Sequence, residues 1–215
     1  MENVTVIIPV YNEEEFIGKV IKKVKENKNV NEIIVVDNNC SDNTATIAKN
    51  NGAIVVECCN QGKGYAMKKG MLEAKNNIIA FIDGDITNYN NNLIEKITAP
   101  LILKTADFVK ADFERDGGRV TELLAKPLLE LLFPNMQKFN QPLSGIMAGK
   151  KEDLIKLEFE KDYGVDIGIL IDLCNTDIII KEVNIGKVTN HSQNWKALGQ
   201  MAKQVARAII VRSKK

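Results

Sequence analysis

The apolar run Ile78-Ile79-Ala80-Phe81-Ile82 stops at Asp83-Gly84-Asp85, and no other stretch of this chain restricts its fold as tightly. A strand with one face in water alternates apolar and polar residues. An unbroken apolar run is covered on both faces, the habit of a parallel sheet sandwiched between helices. Two carboxylates leaving the carboxyl end of such a strand repel each other unless a cation sits between them. Hard oxygen ligands with room for a phosphate suit Mg²⁺ or Mn²⁺. In isolation an Asp-Gly-Asp triplet reads sooner as a turn with two solvated acids; the rest of the chain turns the reading toward a site.

A chain of 215 residues, 45% of them hydrophobic, suffices for one domain with a substantial core. Twenty-nine basic residues nearly balance 28 acidic ones, which gives no electrostatic case for nucleic acid as a partner. The basic stretches 19–25 and 203–215 read as solvated helix faces or a frayed tail, the second with the option of approaching an anionic membrane. The first apolar run, 4–10, is short and contains proline, so no secretory signal or membrane-spanning helix is expected. Cys40, Cys58, Cys59 and Cys174 lack metal or redox spacing and read as thiols in a reducing cytoplasm.

Strands and helices alternate through the first half. Strands are expected at 4–10, 32–37, 54–57, 78–83 and 108–113, with helices at 13–27, 48–51, 65–74 and 91–103 between them. Phe16, Ile17, Val20, Ile21 and Val24 form the apolar stripe of the first helix, and Ser41-Asp42-Asn43-Thr44 is a cap for the second. This alternation specifies α/β architecture with right-handed crossovers, and ligands beyond the carboxyl ends of the strands. The second half is less regular. Helices are expected at 121–133, 165–175 and 195–212, with short strands at 145–148, 178–183 and 186–190. The tract 88–92 reads as a polar loop. Leu198, Met201, Val205 and Ile209 give the last helix an apolar face, for its own core or for a partner subunit.

Several groups carry candidate chemistry. Pro9-Val10-Tyr11-Asn12-Glu13 ends the first strand, where backbone and acid could hold a base or ribose, although Glu13 serves equally as a helix cap. Asp37 could accept hydrogen bonds from a base or ribose, or serve as a helix cap. Gly62-Lys63-Gly64 opens a helix and could contact a diphosphate or base, or be an ordinary loop; it lacks the spacing of a Walker loop. His191, the one histidine, is either structural or, folded back beside Asp85, the nitrogen ligand of a mixed metal site. Asp116-Gly117-Gly118-Arg119-Val120-Thr121 reads as an anion site before a helix, or as a surface loop capped by Thr121.

Taken together, Val6 through Glu14, Val35 through Thr44 and Asp83-Gly84-Asp85 resemble, in order and spacing, the motifs of nucleotide-sugar glycosyltransferases of the GT-A fold. Gly62-Lys63-Gly64, Gly117 through Leu123, Gln141 through Gly145, Tyr163 through Gly168, Val183 through Gly186 and Leu198 through Val205 are similar to a narrower group, the glucosyl-3-phosphoglycerate synthases. The resemblance covers nearly the whole chain. It implies a single GT-A domain, 1–215, with a mostly parallel Rossmann-like sheet. Within it, 1–113 form a nucleotide-sugar half and 114–215 a smaller acceptor half.

By that resemblance Pro9, Val10, Tyr11, Glu13, Asp37, Lys63, Asp83 and Gly84 hold the nucleotide sugar, and Asp85 and His191 ligate the metal. Gly118, Arg119, Val120 and Thr121 bind phosphoglycerate. Asp166 occupies a position usually held by glutamate near the acceptor, and Gln193 one usually held by asparagine. Asp85, Asp166 and Arg119 are the expected catalytic residues. The implied enzyme is a cytoplasmic hexosyltransferase using Mg²⁺ or Mn²⁺. It moves glucose from UDP- or GDP-glucose to 3-phosphoglycerate with retention, making a compatible-solute precursor, and acts as a homodimer. Transfer to another phosphorylated or lipid-phosphate acceptor, or nucleotide-sugar binding without turnover, remain open alternatives.

Overall fold

The computed structural model describes residues 2–86, 92–114, 118–188 and 194–214. Most of the polar tract 88–92, Asp116 and Gly117, His191 and Gln193 therefore lie outside the described residues. Strands β1 (Val4–Val10), β2 (Val30–Asp37), β3 (Ile54–Glu57), β4 (Ile78–Phe81), β5 (Phe108–Glu114), β6 (Met147–Lys150) and β7 (Ile180–Lys187) form one sheet in the order β3-β2-β1-β4-β6-β5-β7. Only β6 runs antiparallel to its neighbours, β4 and β5. The sheet thus joins residues from both halves of the chain.

Period-two alternation assigns each strand residue to a face. Val4, Val6 and Ile8 of β1 and Ile78 and Ala80 of β4 enter one core, closed by α1 (Ile17–Lys25), α2 (Thr44–Asn50) and α4 (Leu93–Ile102). Ile7, Ile79 and Phe81 enter the other, closed by α3 (Lys63–Glu73), α5 (Lys126–Leu132), α7 (Val165–Cys174) and α8 (Trp195–Arg212). A short helix, α6 (Lys151–Leu154), follows β6. All four residues of β4 are buried, as its unbroken apolar run requires. Helix α7 is apolar apart from Asp166 and Asp172, and is correspondingly buried.

Some expectations are corrected. The first helix starts at Ile17 because Glu13–Phe16 is a turn, in which the Glu13 carbonyl accepts from the Phe16 and Ile17 amides at 3.0 Å each. The expected helix 121–133 opens as a π-helical turn, Thr121–Ala125, before α5. Pro127 lacks the N–H that an α-helical ladder needs, and the Lys126 amide reaches back to the Thr121 carbonyl instead. Thr121 is therefore inside the first turn and no side-chain cap. The two strands expected at 178–183 and 186–190 are one strand, β7. Asn184 Oδ1 accepts from the Gly186 amide at 2.9 Å and Gly186 has φ +92°. The register against β5 slips between Asp112 and Glu114, so a bulge stands where a turn was expected.

The terminal helix turns its apolar face inward: Val205 and Ile209 are buried, and Leu198 and Met201 pack on the same core. Its basic end is likewise more than a solvated face. Arg212, 5% exposed, pairs with Asp172 at 2.8 Å and Glu160 at 2.7 Å, and Arg207 pairs with Asp162 at 3.0 Å and Glu160 at 3.1 Å. Among the described residues, no helix is long and apolar enough to cross a membrane. All four cysteines carry free thiols.

Candidate active site

The sheet order reverses between β1 and β4, and in open α/β sheets ligands bind beyond the carboxyl ends at such a point. A cavity of about 650 Å³ opens there, within the range of small-molecule sites. Its floor comes from Pro9, Val10, Tyr11 and Glu13 after β1 and from Asp83, Gly84 and Asp85 after β4. One wall is Gly118, Arg119, Val120 and Thr121. Lys63 and Asp166 line the interior, and α8 covers the remaining side with Leu198, Met201, Gln204 and Val205.

The turns at this rim depend on asparagines. Asn12 and Asn39 adopt φ of 57° and 65°, a left-handed conformation that asparagine tolerates better than most residues. Asn12 Oδ1 accepts from the Ser41 amide at 2.8 Å, tying the turn after β1 to the turn after β2. The second turn closes on Asp37, whose Oδ1 accepts from the Cys40 amide at 2.8 Å. Asp37 is absent from the cavity lining, while its neighbour Asn38 is present. Asn38 Oδ1 accepts from the Gly62 amide at 2.7 Å and so fixes the loop that leads into α3. Burial raises the Cys40 thiol to about 11, so it stays a neutral member of the turn.

Asp83 continues the alternation of Ile79 and Phe81, which carries it to the α3 and α7 side of the sheet. There Lys63 Nζ donates to Asp83 Oδ1 at 2.7 Å and to Asp166 Oδ2 at 2.9 Å. Burial alone would lower the Lys63 pKa, but Asp166 and Asp83 outweigh it and hold the ammonium charged well above the ordinary lysine range. Burial raises the Asp166 carboxyl, against the pull of Lys63 and Lys110. Asp166 is 4% exposed and its Oδ1 has no hydrogen-bond partner among the described residues. A buried carboxylate oxygen in that state, beside a cavity, is poised to accept from a ligand hydroxyl. The glycines of Gly62-Lys63-Gly64 pack closely against the backbone of Glu160 and Lys161, and Gly62 also lines the cavity. A Cβ on Gly64 would lie 1.6 Å from the Glu160 carbonyl oxygen.

Lys110 joins this buried charge cluster, and no sequence motif marks it. It lies on β5 two residues after Phe108, hence on the same face, and is wholly buried. Its Nζ donates to the Asp166 carbonyl oxygen at 2.9 Å. Burial lowers its pKa to about 8. Lys63, Lys110, Asp83 and Asp166 thus form a four-charge set of zero net charge beneath the cavity. The available signal was a lysine in the middle of the otherwise apolar run from Phe108 to Ala111.

The outer rim is unbalanced. Burial, Asp85 and then Asp83 push the Glu13 carboxyl up to about 7. Asp85 and Asp83 thus raise the cost of ionising Glu13, a cost that a divalent cation at this rim would relieve. The expected nitrogen ligand, His191, lies outside the described residues. Among the described residues no three acidic, histidine or cysteine side chains converge to hold an ion alone.

The chain is similar to known proteins along nearly its whole length. Glycosyl transferase family 2 matches residues 5–149. Glucosyl-3-phosphoglycerate synthase of Mycolicibacterium smegmatis is 34% identical over 97% of this chain and 77% of its own length. That of Petrotoga mobilis is 32% identical over 99% of this chain and 74% of its own. The chain belongs to the family 2 glycosyltransferases, among the glucosyl-3-phosphoglycerate synthases. The crystal structure of the Mycobacterium tuberculosis synthase with Mn²⁺, UDP-glucose and phosphoglyceric acid superposes with a TM-score of 0.94. It is 33% identical, and the match covers 99% of this chain and 80% of that one. The same synthase has been crystallised with Mg²⁺ and UDP. This family 2 glycosyltransferase has the GT-A fold, with its cavity at the sheet position where the family's motifs converge.

Proposed function

We propose that this glycosyltransferase moves glucose from UDP-glucose to the 2-hydroxyl of 3-phosphoglycerate in a reaction that depends on Mg²⁺ or Mn²⁺. The observation that carries this reading is one cavity with an acidic rim at Asp83 and Asp85 and a cationic wall at Arg119. The nucleotide sugar lies over the carboxyl ends of β1 and β4, against Pro9, Val10, Tyr11, Glu13, Asp83 and Gly84. Asp85 and His191 would hold a divalent cation, which would supply charge neutralisation for the diphosphate leaving group.

Phosphoglycerate binds along Gly118, Arg119, Val120 and Thr121, with Gln193 as a further contact. Arg119 presents donors to its phosphate or carboxylate. Asp166 accepts a substrate hydroxyl at its Oδ1 and orients it, while Lys63 and Lys110 favour its ionised form against the effect of burial. Retention of configuration follows a front-face route: the acceptor hydroxyl attacks as the diphosphate departs and takes the proton. That route asks the protein for orientation and charge stabilisation only. Asp166 is on this reading an orienting group and no nucleophile. A cytoplasmic location and a homodimer complete the proposal and rest on the family resemblance.

The test is nucleotide release with 3-phosphoglycerate as sole acceptor, using UDP- and GDP-glucose in parallel and each metal in turn. The reading expects metal-dependent release that requires the acceptor. Release without a phosphoglycerate product would point instead to another phosphorylated acceptor, and metal-dependent binding without turnover to a binding protein.

A further inference from the structure

The cavity-facing residues of α8, Leu198, Met201, Gln204 and Val205, follow one helical stripe. Three residues before Leu198, on that stripe, the helix begins with Trp195, the only tryptophan in the chain. Asn194 Oδ1 accepts from the Ala197 amide at 3.0 Å and fixes this first turn. The indole is 74% exposed, a costly setting for so large an apolar surface. Its ring centroid stands 5.0 Å from the Arg119 guanidinium carbon.

A guanidinium lying on an indole face keeps its in-plane N–H donors available at its edges. Stacking therefore restricts the plane of the side chain without consuming the donors an anion needs. Among the described residues, Arg119 has no carboxylate partner that would compete for them.

We propose that Trp195 is a positioning residue for the acceptor: its ring holds the Arg119 guanidinium in the plane that presents its donors to the acceptor's carboxylate or phosphate. The inference rests on the acceptor reading of Arg119 given above. It makes affinity for the acceptor, and not for the nucleotide sugar, depend on an aromatic side chain at position 195.

The chain's single tryptophan makes its own emission the probe. Titration of the full-length protein with 3-phosphoglycerate, without donor, is expected to change the emission saturably, and Arg119→Ala is expected to abolish the change. In steady-state assays Trp195→Ala is expected to raise the KM for 3-phosphoglycerate about two- to five-fold, the worth of an exposed cation–π pair. The kcat and the KM for UDP-glucose stay unchanged, and Trp195→Phe recovers part of the loss. A purely structural role would lower the Tm or move both KM values together. Glycoside formation with an unchanged acceptor KM in Trp195→Ala overturns the inference and leaves the proposed function standing. Saturable emission change without glycoside formation overturns the proposed function and leaves the anion clamp standing. Silent emission together with no turnover overturns both.

Discussion

Replacing Lys63 by methionine tests the electrostatics beneath the cavity. The side chain keeps its approximate volume and apolar stem, but Asp83 and Asp166 lose the ammonium that sits 2.7 and 2.9 Å from them. Asp166, 4% exposed, cannot turn to water, and Lys110 reaches its main-chain oxygen only. Removing one partner of a buried ion pair costs about 3–5 kcal/mol. For a chain of this size that lowers the Tm by roughly 6–20 °C, at about 2–4 °C per kcal/mol. Burial already raises the Asp166 carboxyl, and loss of Lys63 raises it further. The penalty is then present above that raised pKa and relieved as pH falls through it. Urea unfolding at pH 7.5 and 5.5 is the assay: the gap between Lys63→Met and wild type is expected to narrow at the lower pH. Adding Asp166→Asn to Lys63→Met is expected to recover part of the loss, with a coupling of roughly 1–3 kcal/mol in the double-mutant cycle. A single variant within about 1 kcal/mol of wild type at both pH values would refute the argument, because the two contacts would then carry no net energy.

Three further outcomes follow from the same geometry. Lys110 has its pKa lowered from 10.5 to about 8 by burial, so the folded state releases a proton that the unfolded chain keeps. Wild type should therefore gain stability over Lys110→Met between pH 8 and 10.5, by up to about 3 kcal/mol, measured by chemical denaturation. A flat difference across that window would contradict the burial argument. Asp85→Asn is expected to lose transferase activity by orders of magnitude and the metal requirement of UDP binding, with a melting temperature near wild type; retained activity would remove Asp85 from the metal site. Arg212→Met leaves Glu160 and Asp172 without their shared cation and is expected to cost about 3–5 kcal/mol in urea unfolding.

Local pattern decided what the sequence alone could tell. Strands β1 and β3 and helix α8 begin and end where the apolar patterning says they should, because a buried strand and an amphipathic helix mark their own limits. Asp83 and Asp85 were legible for the same reason, as acids that end a buried run. The π-helical turn at Thr121–Ala125 has a local cause in Pro127, yet the apolar spacing around it is that of an ordinary helix. The bulge in β7 imitated a turn, since Asn184 and Gly186 serve both. Pairings across the fold leave no periodic trace. Lys63 and Asp166 are 103 residues apart, and nothing near either announces the other. Lys110 contacts the Asp166 main chain 56 residues away, and only its placement in an apolar strand hinted at a function. The resemblance to the synthases supplied the division into donor and acceptor residues that residue chemistry left open.

The identity of the product tests the central claim most directly. Wild-type protein incubated with UDP-glucose, 3-phosphoglycerate and Mg²⁺ or Mn²⁺ is analysed by mass spectrometry and proton NMR. The account predicts a glucosyl-3-phosphoglycerate linked through the 2-hydroxyl in the α configuration, formed only with metal present. Hydrolysis to free glucose, or a glycoside of any other linkage, would contradict it.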